Sequence, residues 1–230
     1  MERRRRIRGL AVVRAAAPLV IVWAGGLGVL AAAIGQDVVE REELLLDPVT
    51  VGGLPWYTGL VSQLGVVCWA IAATVAGCGG FVAALVDRRG AAHFLSSGAA
   101  LGVLLLLDDL FQLHAVLLPR WLGVSKHAIV AGYGAVAVTW IVANRAELLR
   151  TRLHLLAASA LVFAASVGAD VVGTGRGTWL VVEDGGKLLG ILAWAAYFIA
   201  TSADIVRSAV RAAADTTVEP HEDGLESRPA

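Results

Sequence analysis

The chain has 230 residues, of which 57% are hydrophobic and only 17% are charged, and its mean hydropathy is +0.72. A soluble domain of this length would be more polar, so the composition argues against the soluble class. The formal net charge is zero, which gives no indication of a nucleic-acid partner. Several apolar runs of about 20 residues have the length of a membrane-spanning helix. The sequence therefore predicts an all-α fold, a polytopic membrane helix bundle.

The apolar runs predict six transmembrane helices. They cover about residues 15–35, 59–86, 91–118, 126–143, 153–173 and 182–206. An acidic loop follows the first helix, with a short interfacial turn predicted at Leu44–Leu46, and a glycine-rich turn, Gly173–Gly177, precedes the last helix. Most of the seven tryptophans are expected near helix ends, where they mark the membrane interface. Gly77, Gly79 and Gly80 are expected at close helix contacts.

Lysine and arginine are divided unevenly between the two predicted sides of the membrane. Thirteen of them lie near one set of helix ends, including six in residues 1–14, and four lie in the opposite loops. The positive-inside rule then places both termini in the cytoplasm. We predict a basic cytoplasmic N-terminus over 1–14, a six-helix transmembrane domain over 15–211 and a disordered cytoplasmic tail over 212–230. The many Ala, Arg and Val residues favour a bacterial source, and hence the inner membrane.

One apolar stretch, Leu101–Pro119, carries several polar residues: Asp108, Asp109, Gln112 and His114. An aspartate near the centre of a bilayer costs about 2.5–3.5 kcal/mol. Two adjacent aspartates should therefore face a protein interior or a water-filled cavity. Because the two carboxylates repel each other when both are ionised, one of them is expected to exchange a proton.

Other predicted helices bring polar groups to the same side. Glu183, Asp184 and Lys187 begin the sixth helix, Asp170 ends the fifth, and further polar residues are Ser62, Gln63, His127 and Tyr133. These positions predict an acidic site between helices three, five and six that opens to the extracytoplasmic side. Residues four apart share a helix face, which places Glu183 beside Lys187 and Asp108 beside Gln112, but His114 on another face.

The residue types leave several functions open. Carboxylates with an imidazole can bind a divalent metal that activates water, which would suit hydrolysis of a membrane lipid. The candidate metal ligands are Asp108, Asp109, His114, Glu183 and Asp184, and the candidate catalytic residues are Asp108, Asp109 and Lys187. Alkaline ceramidases use a Ser, an Asp and three His, and the chain departs from them because its last helix has no His-x-x-x-His.

Three alternatives remain. The first is a small proton-coupled transporter of an unidentified small molecule, because buried acids and a lysine are typical of proton relays. Haem bound by His93 and His154, with His114 and His127, is another. The third is a non-catalytic receptor, anchor or assembly protein whose buried ion pairs fix helix register. The sequence does not decide whether the protein is an enzyme, and it gives no oligomeric state.

Two segments resemble the paired motifs of uncharacterised bacterial multi-pass membrane proteins. They are Asp108-Asp-Leu-Phe-Gln-Leu-His114 and Glu183-Asp-Gly-Gly-Lys-Leu-Leu-Gly190. The resemblance covers roughly helices three to six and implies a multi-pass fold but no activity. Those proteins often carry Glu after the His, where this chain has Ala115, so one possible ligand is missing.

Overall fold

A computed structural model describes residues 2–173 and 176–218, with side chains over 19–173 and 176–212. The described residues form helices and turns and no strand, which confirms the predicted all-α class. Part of the predicted turn Gly173–Gly177 and the predicted tail beyond residue 218 lie outside the described residues. The chain divides into two compact units, Met1–Thr58 and Gly59–Ala230.

The first unit contains α1 (Glu2–Gly35), α2 (Arg41–Leu45) and α3 (Pro48–Val51). Helix α1 begins at Glu2 and not near residue 15, because arginine is a good helix former and continues the apolar helix toward the N-terminus. The Asp47 carboxylate caps α3 by accepting hydrogen bonds from the Thr50 N–H at 2.9 Å and from the Thr50 hydroxyl at 2.7 Å. These hydrogen bonds lower the pKa of Asp47 below its usual value.

The second unit contains the longer apolar helices and the short segments that join them. They are α4 (Leu60–Leu85), α5 (Arg89–Phe111), a π-turn (Leu113–Leu117), α6 (Leu118–Leu122), α7 (Lys126–Ala143), α8 (Arg145–Leu148), α9 (Leu153–Val172) and α10 (Thr178–Val218). Helix α4 packs along α5 and α10, and α10 also packs along α9. The bounds of α4, α7 and α9 agree with the predicted helices, because apolar runs end where charged or turn residues begin.

Among the described residues, five helices are long and apolar enough to cross a membrane. They are α4, α5, α7, α9 and the Thr178–Ala212 part of α10. The protein is therefore a membrane protein. The sixth predicted span falls in α1, where Leu19–Gly35 is a shorter apolar segment, so the number six stays a prediction.

The predicted continuous helix over 91–118 is wrong. Helix α5 ends at Phe111, Gln112 adopts a left-handed conformation with φ 49°, and the π-turn and α6 follow. In a continuous helix the His114 amide would bond to a backbone carbonyl. Here it donates to the Asp108 carboxylate at 2.8 Å, so a side chain competes with the helix for this donor. Asp108 and Gln112 consequently do not share a helix face, and His114 is turned back toward Asp108.

Helix α10 is longer than the predicted span over 182–206. It begins at Thr178 and continues to Val218, so the predicted disorder from residue 212 is wrong for 212–218. Three consecutive alanines, 212–214, have the highest helix propensity and extend the helix beyond the apolar segment.

Aromatic side chains from four helices form the core of the second unit. Trp69, Trp140 and Trp194 are each at most 7% exposed, and Phe94 and Phe198 are fully buried among them. Trp194 and Phe198 are the closest pair, with ring centroids 5.0 Å apart. Three of the seven tryptophans therefore lie in the core and not at helix ends. The other four are exposed: Trp23, Trp56, Trp121 and Trp179.

Glycines allow these helices to approach each other closely. A Cβ on Gly79 or Gly80 would lie 2.6 Å from a serine hydroxyl of the facing helix, whereas Gly77 has ordinary van der Waals space. The prediction of close contacts is thus confirmed for Gly79 and Gly80 and wrong for Gly77. On α5, a Cβ at Gly98 would lie 2.5 Å from Cζ of Phe198.

We expect Gly98→Ala to destabilise the protein because the fully buried Phe198 ring has no room to move away. Overpacking of this kind costs about 1–3 kcal/mol. Gly132→Ala on α7 is the matched control, since its new Cβ would meet nothing within 4 Å and alanine favours the helix. Thermal unfolding of the detergent-solubilised protein should show a lower Tm for Gly98→Ala only. Equal Tm values for the two variants would contradict the packing described here.

Candidate functional site

Asp108 lies at the end of α5, is 5% exposed and accepts three hydrogen bonds. His114 donates its backbone N–H to Oδ1 at 2.8 Å, and its Nδ1 lies 2.5 Å from Oδ2. Tyr133 of α7 donates its hydroxyl to Oδ1 at 3.0 Å. Because an ionised carboxylate only accepts hydrogen bonds, Nδ1 of His114 is the donor and Nε2 is the nitrogen that can take up a proton.

Asp109 faces a different helix interface from its neighbour. Its side chain is 6% exposed and forms an ion pair with Lys187 of α10. Trp69 of α4 donates its indole N–H to Oδ2 of Asp109 at 2.9 Å. One carboxylate thus links α5 to both α4 and α10. Since the Lys187 side chain is 38% exposed, the ion pair lies at the border between protein interior and surroundings.

A second acidic group joins α7, α9 and α10. Lys126 Nζ lies 2.7 Å from Oδ1 of Asp170, and the Glu183 carboxyl is near enough to Asp170 to interact with it electrostatically. Two neighbouring carboxyls need a shared proton or a neighbouring cation, and Lys126 supplies the cation. Lys187 pairs with Asp109, so the pairing of Lys187 with Glu183 that the helical spacing predicted is wrong. The more deeply buried Asp109 has the greater need for a counter-charge.

The structure brings together some predicted site residues and separates others. Asp108 lies with His114, Asp109 with Lys187, and Glu183 with Asp170, whereas Asp184 is exposed. The described part of the chain contains no group of three His, Cys, Asp or Glu side chains placed to hold a metal ion. The geometry therefore does not favour the predicted metal site. The other polar candidates are also exposed: Ser62, Gln63, His93, His127 and His154.

The sequence pattern does not pair three side chains of the site with an aspartate: Trp69, Lys126 and Tyr133. Each partner lies on a different helix. The available signal for Trp69 was its place in the middle of an apolar run, where an indole N–H needs an internal acceptor. Lys126 begins α7 directly after the Ser125 cap and reaches Asp170 on α9.

The polar groups of the bundle lie at two ends that the aromatic core separates. Lys187 and Asp204 are both on α10, seventeen residues apart, which corresponds to about 25 Å along a helix. Between them lie the buried Trp194, Tyr197 and Phe198. The opposite end carries ion pairs of a different kind, in which arginine is the cation, such as Arg152 with Asp204 at 3.1 Å.

The fold and the site define an all-helical membrane protein whose apolar helices are joined by ion pairs. The chain belongs to a family described as a domain of unknown function (DUF8692), whose model matches residues 10–201. This range includes every residue of the acidic site described above. No curated protein and no solved structure matches the chain.

We expect a double-mutant cycle to show that Asp109 and Lys187 stabilise each other. Lys187→Met leaves a nearly buried carboxylate with only the Trp69 donor, and Asp109→Asn leaves the ammonium without its counter-charge. The double variant removes both charges and should recover part of the lost stability. The expected coupling energy is about 0.5–3 kcal/mol, measured by unfolding of the full chain in detergent.

The matched control is Asp184→Asn, which removes an exposed carboxylate from the same helix turn. It should leave stability nearly unchanged. Strict additivity of the Asp109 and Lys187 substitutions would show that the ion pair makes no net contribution.

Proposed function

We propose that the protein is a small proton-coupled carrier of the bacterial inner membrane, with six spans and both termini in the cytoplasm. One observation carries the proposal. The adjacent buried carboxylates of Asp108 and Asp109 are each paired with a separate titratable group, His114 and Lys187, and these pairs lead to different helix interfaces. A purely structural role, in which an ion pair fixes the register of the helices, would need only one such pair.

Each pair offers two protonation states. When Asp109 takes up a proton, its ion pair with Lys187 is lost and the link between α5 and α10 weakens. His114, with a side chain 19% exposed, can accept a proton at Nε2 and become a cation beside Asp108. Proton uptake at the two sites therefore changes different contacts, as coupling of a proton to a conformational change requires.

Helix α7 is one element that such a change would move. Only 6% of the residues in its apolar segment are buried, against 44% in the apolar segment of α10. Trp140 packs in the aromatic core, and three polar contacts also hold α7 to the bundle: Tyr133 to Asp108, Lys126 to Asp170, and Trp140 to Ser97 at 3.1 Å. Two of these three partners are carboxylates, so proton uptake by Asp108 or Asp170 would weaken the attachment of α7.

We expect proteoliposomes that contain the protein to take up protons when the transported solute is added outside. An internal pH-sensitive dye reports the uptake, and a panel of amino acids, organic acids, sugars and organic cations supplies the solutes. A K⁺ diffusion potential, negative inside, provides the driving force. Asp109→Asn should reduce uptake at least tenfold, since it removes an exchangeable proton, and the exposed Asp184→Asn should not.

Two results would contradict this proposal. One is that no solute, with or without the potential, produces uptake above that of protein-free liposomes. The other is uptake that persists unchanged in Asp109→Asn and in His114→Gln. Since Asp109→Asn also affects stability, uptake is compared at equal amounts of folded protein.

Hydrolysis of a membrane lipid is the second candidate function, and the Asp108–His114 pair favours it. A carboxylate that fixes Nδ1 leaves Nε2 to remove a proton from water, and water then attacks an ester or amide carbonyl. The proton passes from His114 to the leaving oxygen or nitrogen, which balances the step.

If hydrolysis is the function, the protein should release fatty acid from a bilayer lipid, and His114→Gln should abolish the release. Asp108→Asn should reduce it by orders of magnitude, because the imidazole loses the group that orients it. Elemental analysis of the same preparations tests the metal-dependent version: a near-stoichiometric divalent metal that Asp109→Asn removes would support it. Fatty-acid release equal to that of the His114→Gln variant would exclude the hydrolase.

A further inference from the structure

The end of the bundle opposite the acidic site contains a cavity of ≈ 450 Å³. Three arginines line it, Arg88, Arg89 and Arg150, together with the hydroxyl-bearing Thr201 and Ser208. Ser208 accepts a hydrogen bond from the Arg88 guanidinium at 2.5 Å, which links the start of α5 to α10. The N-terminal turn of α5, a helix of 23 residues, opens into the same cavity at Gly90 and Ala91.

A second cavity of ≈ 430 Å³ continues the first one along α10. The two share Asp204 and Ser208, and the second adds Arg207 and Arg211. Five arginines therefore face two carboxylates, Glu147 and Asp204, an excess of three positive charges. The inner wall is apolar and is formed by Phe94 and Ile205. A cationic rim with an apolar wall matches an anion attached to a hydrocarbon.

The charges of the two carboxylates are already balanced by neighbouring arginines. Asp204 pairs with Arg152 at 3.1 Å and with Arg207 at 3.3 Å, and Glu147 pairs with Arg150 at 3.1 Å. Arg88 bonds the neutral hydroxyl of Ser208, and the Arg89 side chain, which pairs with Asp87 at 3.5 Å, is 91% exposed. The cavity thus retains cationic groups that a ligand can bind.

Glu147 occupies the position where an anion would bind the start of α5. A Cβ on Gly90 would collide with its Oε1, so the carboxylate lies directly against the first turn of the helix. The first backbone N–H groups of a helix and its dipole favour negative charge at this place. The carboxylate therefore competes with any anion that enters the cavity, and its removal should strengthen binding.

We propose that this cavity binds a phosphate group, supplied either by the headgroup of an anionic phospholipid or by free phosphate. Arginine guanidinium groups match phosphate oxygens in pairs, and the first turn of α5 adds N–H donors. In the orientation proposed above, the cavity lies at the level of the cytoplasmic headgroups, where an acyl chain can contact Ile205. The site is independent of the proton-exchanging pairs, which lie at the other end of α10.

The experiment uses the full-length protein, delipidated in detergent, and measures its Tm during titration. One arm adds phosphatidylglycerol in mixed micelles, a second adds phosphatidylcholine, and a third adds inorganic phosphate at constant ionic strength. Phosphatidylglycerol or phosphate should raise the Tm of the wild type in a saturable way. Arg150→Gln and Arg88→Gln should each weaken the apparent affinity about tenfold, the equivalent of one charged hydrogen bond.

Two further variants separate specific binding from general electrostatics. Glu147→Gln removes the competing carboxylate and should tighten binding several-fold, a gain that misfolding cannot imitate. Arg145→Gln removes an exposed arginine of the same end that does not line the cavity, and it should bind like the wild type.

The arms also identify the source of the phosphate. Saturable stabilisation by phosphatidylglycerol without an effect of inorganic phosphate assigns the site to a lipid headgroup, and an effect of inorganic phosphate alone assigns it to a soluble phosphate. The proposal is overturned if phosphatidylcholine stabilises as well as phosphatidylglycerol, if Arg145→Gln weakens binding as much as Arg150→Gln, or if no arm is saturable.

Discussion

A carboxylate inside an apolar helix must have a counter-charge or donors, and this requirement organises the bundle around Asp108 and Asp109. Transfer of an unpaired ion into a low-dielectric interior costs several kcal/mol even after relaxation. Asp108 meets the requirement with three hydrogen bonds from the π-turn and α7, and Asp109 meets it with Lys187 and Trp69. Four segments of the second unit are thereby positioned by two neighbouring side chains.

The same requirement explains the irregular segment after α5. A continuous helix would direct His114 away from Asp108 and leave the carboxylate with fewer donors. The left-handed Gln112 and the π-turn interrupt the backbone hydrogen bonds, but they deliver both the amide and the imidazole of His114 to one carboxylate. Local irregularity of this kind is common where a helix carries a functional group, because the helix loses backbone bonds and gains a positioned side chain.

The sequence was sufficient for most of the apolar helices but not for the pairs that their polar residues form. Apolar runs predict α7 and α9 closely, since their limits depend on local composition. The pairs depend on non-local packing, since Trp69 on α4 and Asp109 on α5 are 40 residues apart in the chain. The pairing of His114 with Asp108 could not be predicted either, since helical periodicity holds only while the helix is continuous. Lys187 pairs with Asp109 and not with Glu183 because Asp109 is the more deeply buried carboxylate. A single sequence does not give this burial.

The aromatic core between the two polar ends constrains any transport mechanism. Trp194 lies seven residues after Lys187, so both are on one face of α10, and its indole N–H is buried with no partner among the described residues. An unpaired buried donor costs about 1–3 kcal/mol. A shift of α10 would change the surroundings of this donor. Release of Lys187 from Asp109 would permit that shift, so protonation at the acidic end and repacking of the aromatic core are expected to occur together.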